Sequence, residues 1–158
     1  MTPTNRALNH LTREQIYDFE VSFDFIDAGG VVYHPRYYIL LERARYHFCQ
    51  SLGLNLVEHF NNGFVFVIAE LQGRYRLPLR VADPFGIFCK VDKVTSRSMK
   101  MRQYIVARDK IEEALLIQDD EVKLAKISHF SGQLHLVHVN MKQMQASPIP
   151  QRFVEALK

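Results

Sequence analysis

The chain has no tryptophan, only two cysteines and no long uninterrupted apolar stretch, and each shortage removes a class of protein. Without Trp, and with Lys plus Arg exceeding Asp plus Glu by only 20 to 17, it lacks the basic surface and one of the stacking side chains that nucleic-acid binders use. Cys49 and Cys89 stand far apart, with neither a CxxC pair nor a Cys/His ligand spacing. A disulfide framework and a zinc site are therefore not expected, and two reduced core thiols are. Nowhere do about 18 uncharged apolar residues run together, so no membrane-spanning helix is expected. The opening residues Met1 to His10 carry no apolar segment of the kind a secretory signal needs. These absences predict a soluble, cytoplasmic protein with no metal. What is present suits one domain over residues 1–158, with 1–16 as a polar N-terminal extension, since 47% hydrophobic residues can build a single sizeable core.

Two periodicities organise the chain. From Tyr17 to Phe25 apolar and polar residues alternate, the period of a half-buried strand with its odd positions inward, and Ala28-Gly29-Gly30 ends it. From Pro35 the period changes: Tyr37, Leu40, Leu41, Ala44, Phe48 and Leu52 recur at three and four, as on an amphipathic helix. Tyr38, Ile39, Tyr46 and Cys49 widen that apolar face, which predicts a helix wrapped by a sheet. Gly53 supplies a stop, and Leu54 to Phe60 reads as a short second helix before the turn at Asn61-Asn62-Gly63. Beyond it the pattern predicts strands over Phe64–Leu79, Phe85–Thr95, Met99–Arg108, Ala114–Ile117 and Val122–Val139, then a short helix over Gln151–Leu157. In Phe64–Ala69 both parities are apolar, so that strand is expected to be central or covered at an interface. The class is α+β, one long helix against an antiparallel sheet.

The chemistry concentrates in Asp27-Ala28-Gly29-Gly30-Val31-Val32-Tyr33-His34, followed by Pro35-Arg36-Tyr37-Tyr38 and Glu42-Arg43-Ala44-Arg45. Gly29 and Gly30 let the backbone pass close to a ligand, and a helix entrance offers N–H groups at the positive end of a dipole. By its place alone, before Ala-Gly-Gly, Asp27 is more often a turn or capping residue than a catalyst, though a carboxylate beside such donors also suits attack on a carbonyl. This segment resembles the 4-hydroxybenzoyl-CoA thioesterase-like family of hot-dog proteins, closest to the branch associated with the Tol-Pal system. The resemblance extends more weakly over residues 19–157. It implies a hot-dog fold, a long central helix wrapped by a curved antiparallel sheet, assembled into homodimers or homotetramers with acyl-CoA sites at subunit interfaces.

By the same resemblance Asp27 aligns with the catalytic carboxylate, acting as nucleophile or as general base for water, and His34 marks the oxyanion donor through its backbone N–H. The His34 imidazole either binds substrate or caps the helix. Gly29, Gly30, Val31 and Tyr33 are the expected substrate-binding residues, although Tyr33 can equally be a packing residue. No cofactor is expected, coenzyme A being part of the substrate. The branch's Asp-Thr-Asp is replaced here by Phe25-Ile26-Asp27, and a Tyr four residues before Asp27 by Phe23. That departure keeps two alternatives open: a non-catalytic acyl-CoA-binding or scaffold protein, and an acyl-thioester hydratase or dehydratase using Asp27 with His34. Arg74, Arg76 and Arg80 share one parity and either meet coenzyme A phosphates or form a solvated face. His135 and His138 differ in parity, which argues against a shared metal site.

Overall fold

In the computed structural model, which describes residues 8–158, the first strand ends where its partner begins. β1 (Tyr17–Glu20) pairs antiparallel with β3 (Pro84–Val94), and its last residue, Glu20, lies opposite Pro84. The expected strand through Phe25 is therefore cut short. Phe23–Phe25 forms one 3-10 turn, leaving Phe23 82% exposed while Phe25 is buried. The parity that held to Val21 does not carry past Ser22. The reading of Met1–His10 as lacking a secretory signal falls largely on residues 1–7, outside those described.

The remaining strands are β2 (Phe64–Tyr75), β4 (Ser98–Ala107), β5 (Phe130–Asn140) and a two-residue β6 (Gln145–Ala146) on β5. The antiparallel order is β1-β3-β4-β5-β2. β2 is thus an edge strand and not central, which leaves cover at an interface as the remaining reading of its apolar run, and Val67 and Ile68 are 42% and 47% exposed. Against one face of the sheet lies α1 (Arg36–Ser51). Its stripe of Tyr37, Leu40, Leu41, Ala44 and Phe48 is buried as the periodicity requires. Tyr38, Ile39 and Tyr46 do not widen the buried face but are more than a third exposed. Gly53, at φ 80°, terminates the helix. Cys49 and Cys89 are buried and unpaired, and burial pushes both thiols up to about 12. α2 (Leu56–Asn61) begins on Asn55, whose side chain accepts from the Val57 and Glu58 N–H groups.

The opposite face is covered by elements that the sequence reading misassigned. Ala114–Ile117 is not a strand but part of α3 (Ile111–Leu116), and Val122–Val139 divides into α4 (Glu121–Ile127) and β5. Ile111 and Ala114 are buried at helical spacing, and Asp120 caps α4 by accepting from the Lys123 N–H at 3.0 Å. Alternation along β4 turns Gln103 toward α1, where it reaches the Leu41 carbonyl, and Arg102 toward Glu121 of α4. Both faces of β3 and β4 are consequently covered.

Residues 8–16, expected as a polar extension, also pack here. The Leu8 N–H donates to the Val91 carbonyl and Leu11 is buried. Lys90, 1% exposed, donates to the Asn9 carbonyl and to Gln118 Oε1, and burial pulls its pKa below the usual lysine value. The chain closes with α5 (Gln151–Ala156), whose Phe153 is buried.

Candidate active site

Asp27 stands at the tip of a small hairpin bracketed by an antiparallel bridge between Ile26 and Val32. Its N–H donates to the Val31 carbonyl at 2.9 Å and its own carbonyl accepts from the Gly30 N–H at 3.0 Å. Gly30 closes this turn at φ 77°, a conformation that L side chains rarely adopt. The Gly29 N–H donates to Asp27 Oδ1 at 2.8 Å. A Cβ at Gly29 would lie 3.1 Å from that oxygen, so the glycine leaves the carboxylate its room. Among the described residues, none donates to Oδ2. One oxygen thus positions the half-buried carboxylate and the other remains available for chemistry.

The hairpin is tied at its base. The Tyr33 N–H donates to the Phe25 carbonyl and the Val32 N–H to the Leu79 carbonyl. Phe25, where the related branch carries a polar residue, lies under the guanidinium groups of Arg36 and Arg43, 5.2 and 5.7 Å from its ring centre. The apolar departure therefore anchors the hairpin to α1.

The helix entrance offers fewer donors than the sequence suggested. The N–H groups of Arg36, Tyr37 and Tyr38 turn back in 3-10 fashion to the carbonyls of Tyr33, His34 and Pro35. Pro35 has no N–H. Among the described residues, the His34 N–H has no acceptor, which makes it the available donor at this end of α1. The His34 side chain is exposed and does not cap the helix. Tyr33 is 48% exposed with its ring 5.0 Å from that of His34, so it is not a core packing residue. The structure therefore gathers Asp27, Gly29, Gly30 and Val31 in one turn and Tyr33 and His34 at the adjoining helix entrance.

Tyr75, which the sequence reading passed over, joins this entrance to the end of β2. Its hydroxyl donates to the His34 carbonyl and accepts from the Tyr38 hydroxyl, both at 3.3 Å, and its ring meets that of Tyr37 edge-on. Burial raises its pKa above the ordinary tyrosine value. Arg74 and Arg76 line a polar groove on the α4 side of the sheet with Gln133 and Glu121; Arg80, in the loop beyond, is not part of it.

Farther along α1 lies an apolar groove of about 410 Å³ between α1, α2 and the β2 edge, lined by Cys49, Phe60, Phe66, Ile68, Met101 and Leu136. At its α2 side, His59 Nε2 lies 2.7 Å from His138 Nε2. His138 is buried, and its Nδ1 lies 2.9 Å from both the Ser147 carbonyl and the Ser147 hydroxyl; in the tautomer protonated at Nδ1 it donates to the carbonyl. A neutral His138 then accepts at Nε2 from His59. The parity argument placed His138 correctly on the face opposite His135 but could not foresee a partner 79 positions away.

Burial holds both histidines below the ordinary value, and for His59 the neighbouring His138 adds to this. Above about pH 6.5 neither state of the protein takes up these protons; below it the unfolded chain binds protons that the folded one refuses, so stability falls. The melting temperature is expected to drop between about pH 7 and pH 5.5, and to drop less in His59→Gln. A melting temperature that is level across this window would refute the shared-proton pair.

Comparison with known proteins places the chain in a family. Residues 21–157 match the model of the thioesterase-like superfamily. A putative esterase of Aquifex aeolicus is 30% identical over 99 residues, 63% of this chain and 77% of that protein. The acyl-CoA thioester hydrolase YbgC of Escherichia coli is 27% identical over 108 residues, 66% and 81% of the two chains. The solved structure of the gentisyl-coenzyme A thioesterase BH1999 superposes with a TM-score of 0.72 at 25% identity, covering 87% of this chain and 97% of its own. A family match over nearly the whole chain and a curved antiparallel sheet around one long helix lead to the same conclusion: this protein belongs to the thioesterase-like superfamily and has the hot-dog fold.

Proposed function

We propose that this protein is an acyl-CoA thioesterase in which Asp27, as nucleophile or as general base for water, attacks a thioester carbonyl polarised by the His34 N–H. The observation that carries the reading is the half-engaged carboxylate of Asp27, held through one oxygen by Gly29, in the hairpin that leads into a helix whose available donor is the His34 N–H. A thioester is an activated acyl donor, so a carboxylate, water and an oxyanion donor are sufficient for hydrolysis without a serine or cysteine nucleophile. The named activities of YbgC and of the gentisyl-coenzyme A thioesterase support acyl-CoA as the substrate class. Gly29, Gly30, Val31 and Tyr33 line the approach to the carbonyl, and the apolar groove beside α1 receives the acyl group.

The bare β2 edge supports assembly as a homodimer, with tetramers formed from two such pairs. β2 presents unpaired backbone groups next to exposed Val67 and Ile68, the kind of edge that proteins cover. Two buried, unpaired thiols suit a cytoplasmic, reducing location.

The test is a panel of aliphatic and aromatic acyl-CoAs with free-thiol detection. Thiol release by the wild type, lost in Asp27→Asn, is the expected result. Hydration of an enoyl-CoA without thiol release would instead identify a hydratase, and binding without turnover a scaffold.

A further inference from the structure

Among the described residues, Arg45 is the one Lys or Arg lining the apolar groove, and it is poorly matched to hydrocarbon alone. Its guanidinium makes a single hydrogen bond among the described residues, from Nη1 to Gln103 Oε1 at 2.9 Å. Gln103 is fully buried and cannot turn away, since its Nε2 donates to the Leu41 carbonyl at 2.9 Å and to Cys89 Sγ at 3.2 Å. A neutral amide therefore fixes the orientation of the guanidinium and satisfies one of its five donors. Glu42, one turn earlier and also in the groove lining, attracts Arg45 from a distance but forms no ion pair with it. Arg45 is half-buried, and desolvation lowers its pKa despite the attraction of Glu42. An arginine so placed is costly unless an anion completes it, and its planar fork matches a carboxylate in two parallel hydrogen bonds.

We propose that Arg45 makes this groove a receptor for acyl groups that end in a carboxylate, the carboxylate meeting the free donors of the guanidinium while the methylenes lie along Cys49, Phe66 and Met101. The identity of the carrier, a coenzyme A thioester, rests on the thioesterase reading; the selection of a distal carboxylate rests on Arg45 and Gln103. From His34 to Arg45 the helix rises about 16 Å, so the acyl group is long if both residues serve it from one chain, and shorter if Asp27 and His34 of a second copy across the β2 edge act on its thioester carbonyl.

The experiment is calorimetric titration of the Asp27→Asn protein, alone and combined with Arg45→Met or Arg45→Lys. The ligands are matched coenzyme A thioesters of dicarboxylic and simple fatty acids, from short to long. At one chain length the dicarboxylic thioester is expected to bind at least about tenfold more tightly than its fatty counterpart. Arg45→Met is expected to erase this ratio and Arg45→Lys to keep part of it. Equal affinity of the two series at every length, no binding of either, or a ratio that survives Arg45→Met overturns the proposal. An acidic side chain of a second copy already seated on Arg45 would give the first of these results. Binding is read without turnover, so a wild type that releases no thiol counts against hydrolysis alone, while the affinity ratio still decides the role of Arg45.

Discussion

Asp27→Asn is expected to lower kcat on the best acyl-CoA substrate by about 100- to 10,000-fold, the range that a general base contributes. The melting temperature is expected to remain within about 3 °C of the wild type. The substitution isolates the chemistry because the asparagine carbonyl oxygen can accept from the Gly29 N–H as Asp27 Oδ1 does, so the turn through Gly30 is retained. What is lost is the second oxygen, for which the described residues supply no partner. In its place stands an amide that neither attacks a thioester nor takes a proton from water at neutral pH. A solvent oxygen found on Asp27 after a single turnover in isotopically labelled water identifies the nucleophilic route, through an acyl-aspartyl anhydride that water opens at the aspartyl carbonyl; base-assisted attack places the solvent oxygen only on the released acid. Wild-type turnover by Asp27→Asn would remove the central assignment.

Arg102→Met is expected to cost about 3–5 kcal/mol of stability, the range for stranding one member of a buried ion pair. The Arg102 side chain is 7% exposed and forks onto Asp92 of the adjacent strand, itself 12% exposed, with Nε 2.9 and 2.8 Å from the two carboxylate oxygens. Nη1 continues to Glu121 of α4 at 2.8 Å and to the Tyr104 hydroxyl at 3.1 Å. Burial pushes the pKa of that hydroxyl up to about 12, so Tyr104 remains neutral at physiological pH. Methionine fills the volume but leaves Asp92 without its counter-ion beneath α4. Urea unfolding measures the loss, and adding Asp92→Leu to Arg102→Met should recover part of it, since a paired replacement removes the stranded charge. A loss below about 1 kcal/mol would show the network to be no better than a surface ion pair.

The site was legible where local chemistry dictates local shape. Asp27 before two glycines, and a proline at the start of a helical repeat, encode a turn and a helix entrance by short-range sterics alone, and the structure forms both. The α1 stripe was equally plain because one face of that helix is buried along its length. The outer helices were missed for a related reason. The apolar residues of α3 and α4 are short runs that suit a strand or a helix; what marks α4 locally is its Asp120 cap, and α3 has no side-chain cap.

The sequence by itself therefore determined the turn after Asp27, the helix that follows it, the reduced state expected of its thiols and the antiparallel class of its sheet. The tertiary structure alone decided that β2 lies at a bare edge, that His138 shares a proton with His59, that Arg102 binds Asp92 and Glu121 beneath α4, and that Arg45 reaches an apolar groove braced by Gln103. Periodicity reports which side of its own element a residue faces, but these features depend on which distant element lies on that side. That is settled by the order of strands in the sheet and the packing of helices across it.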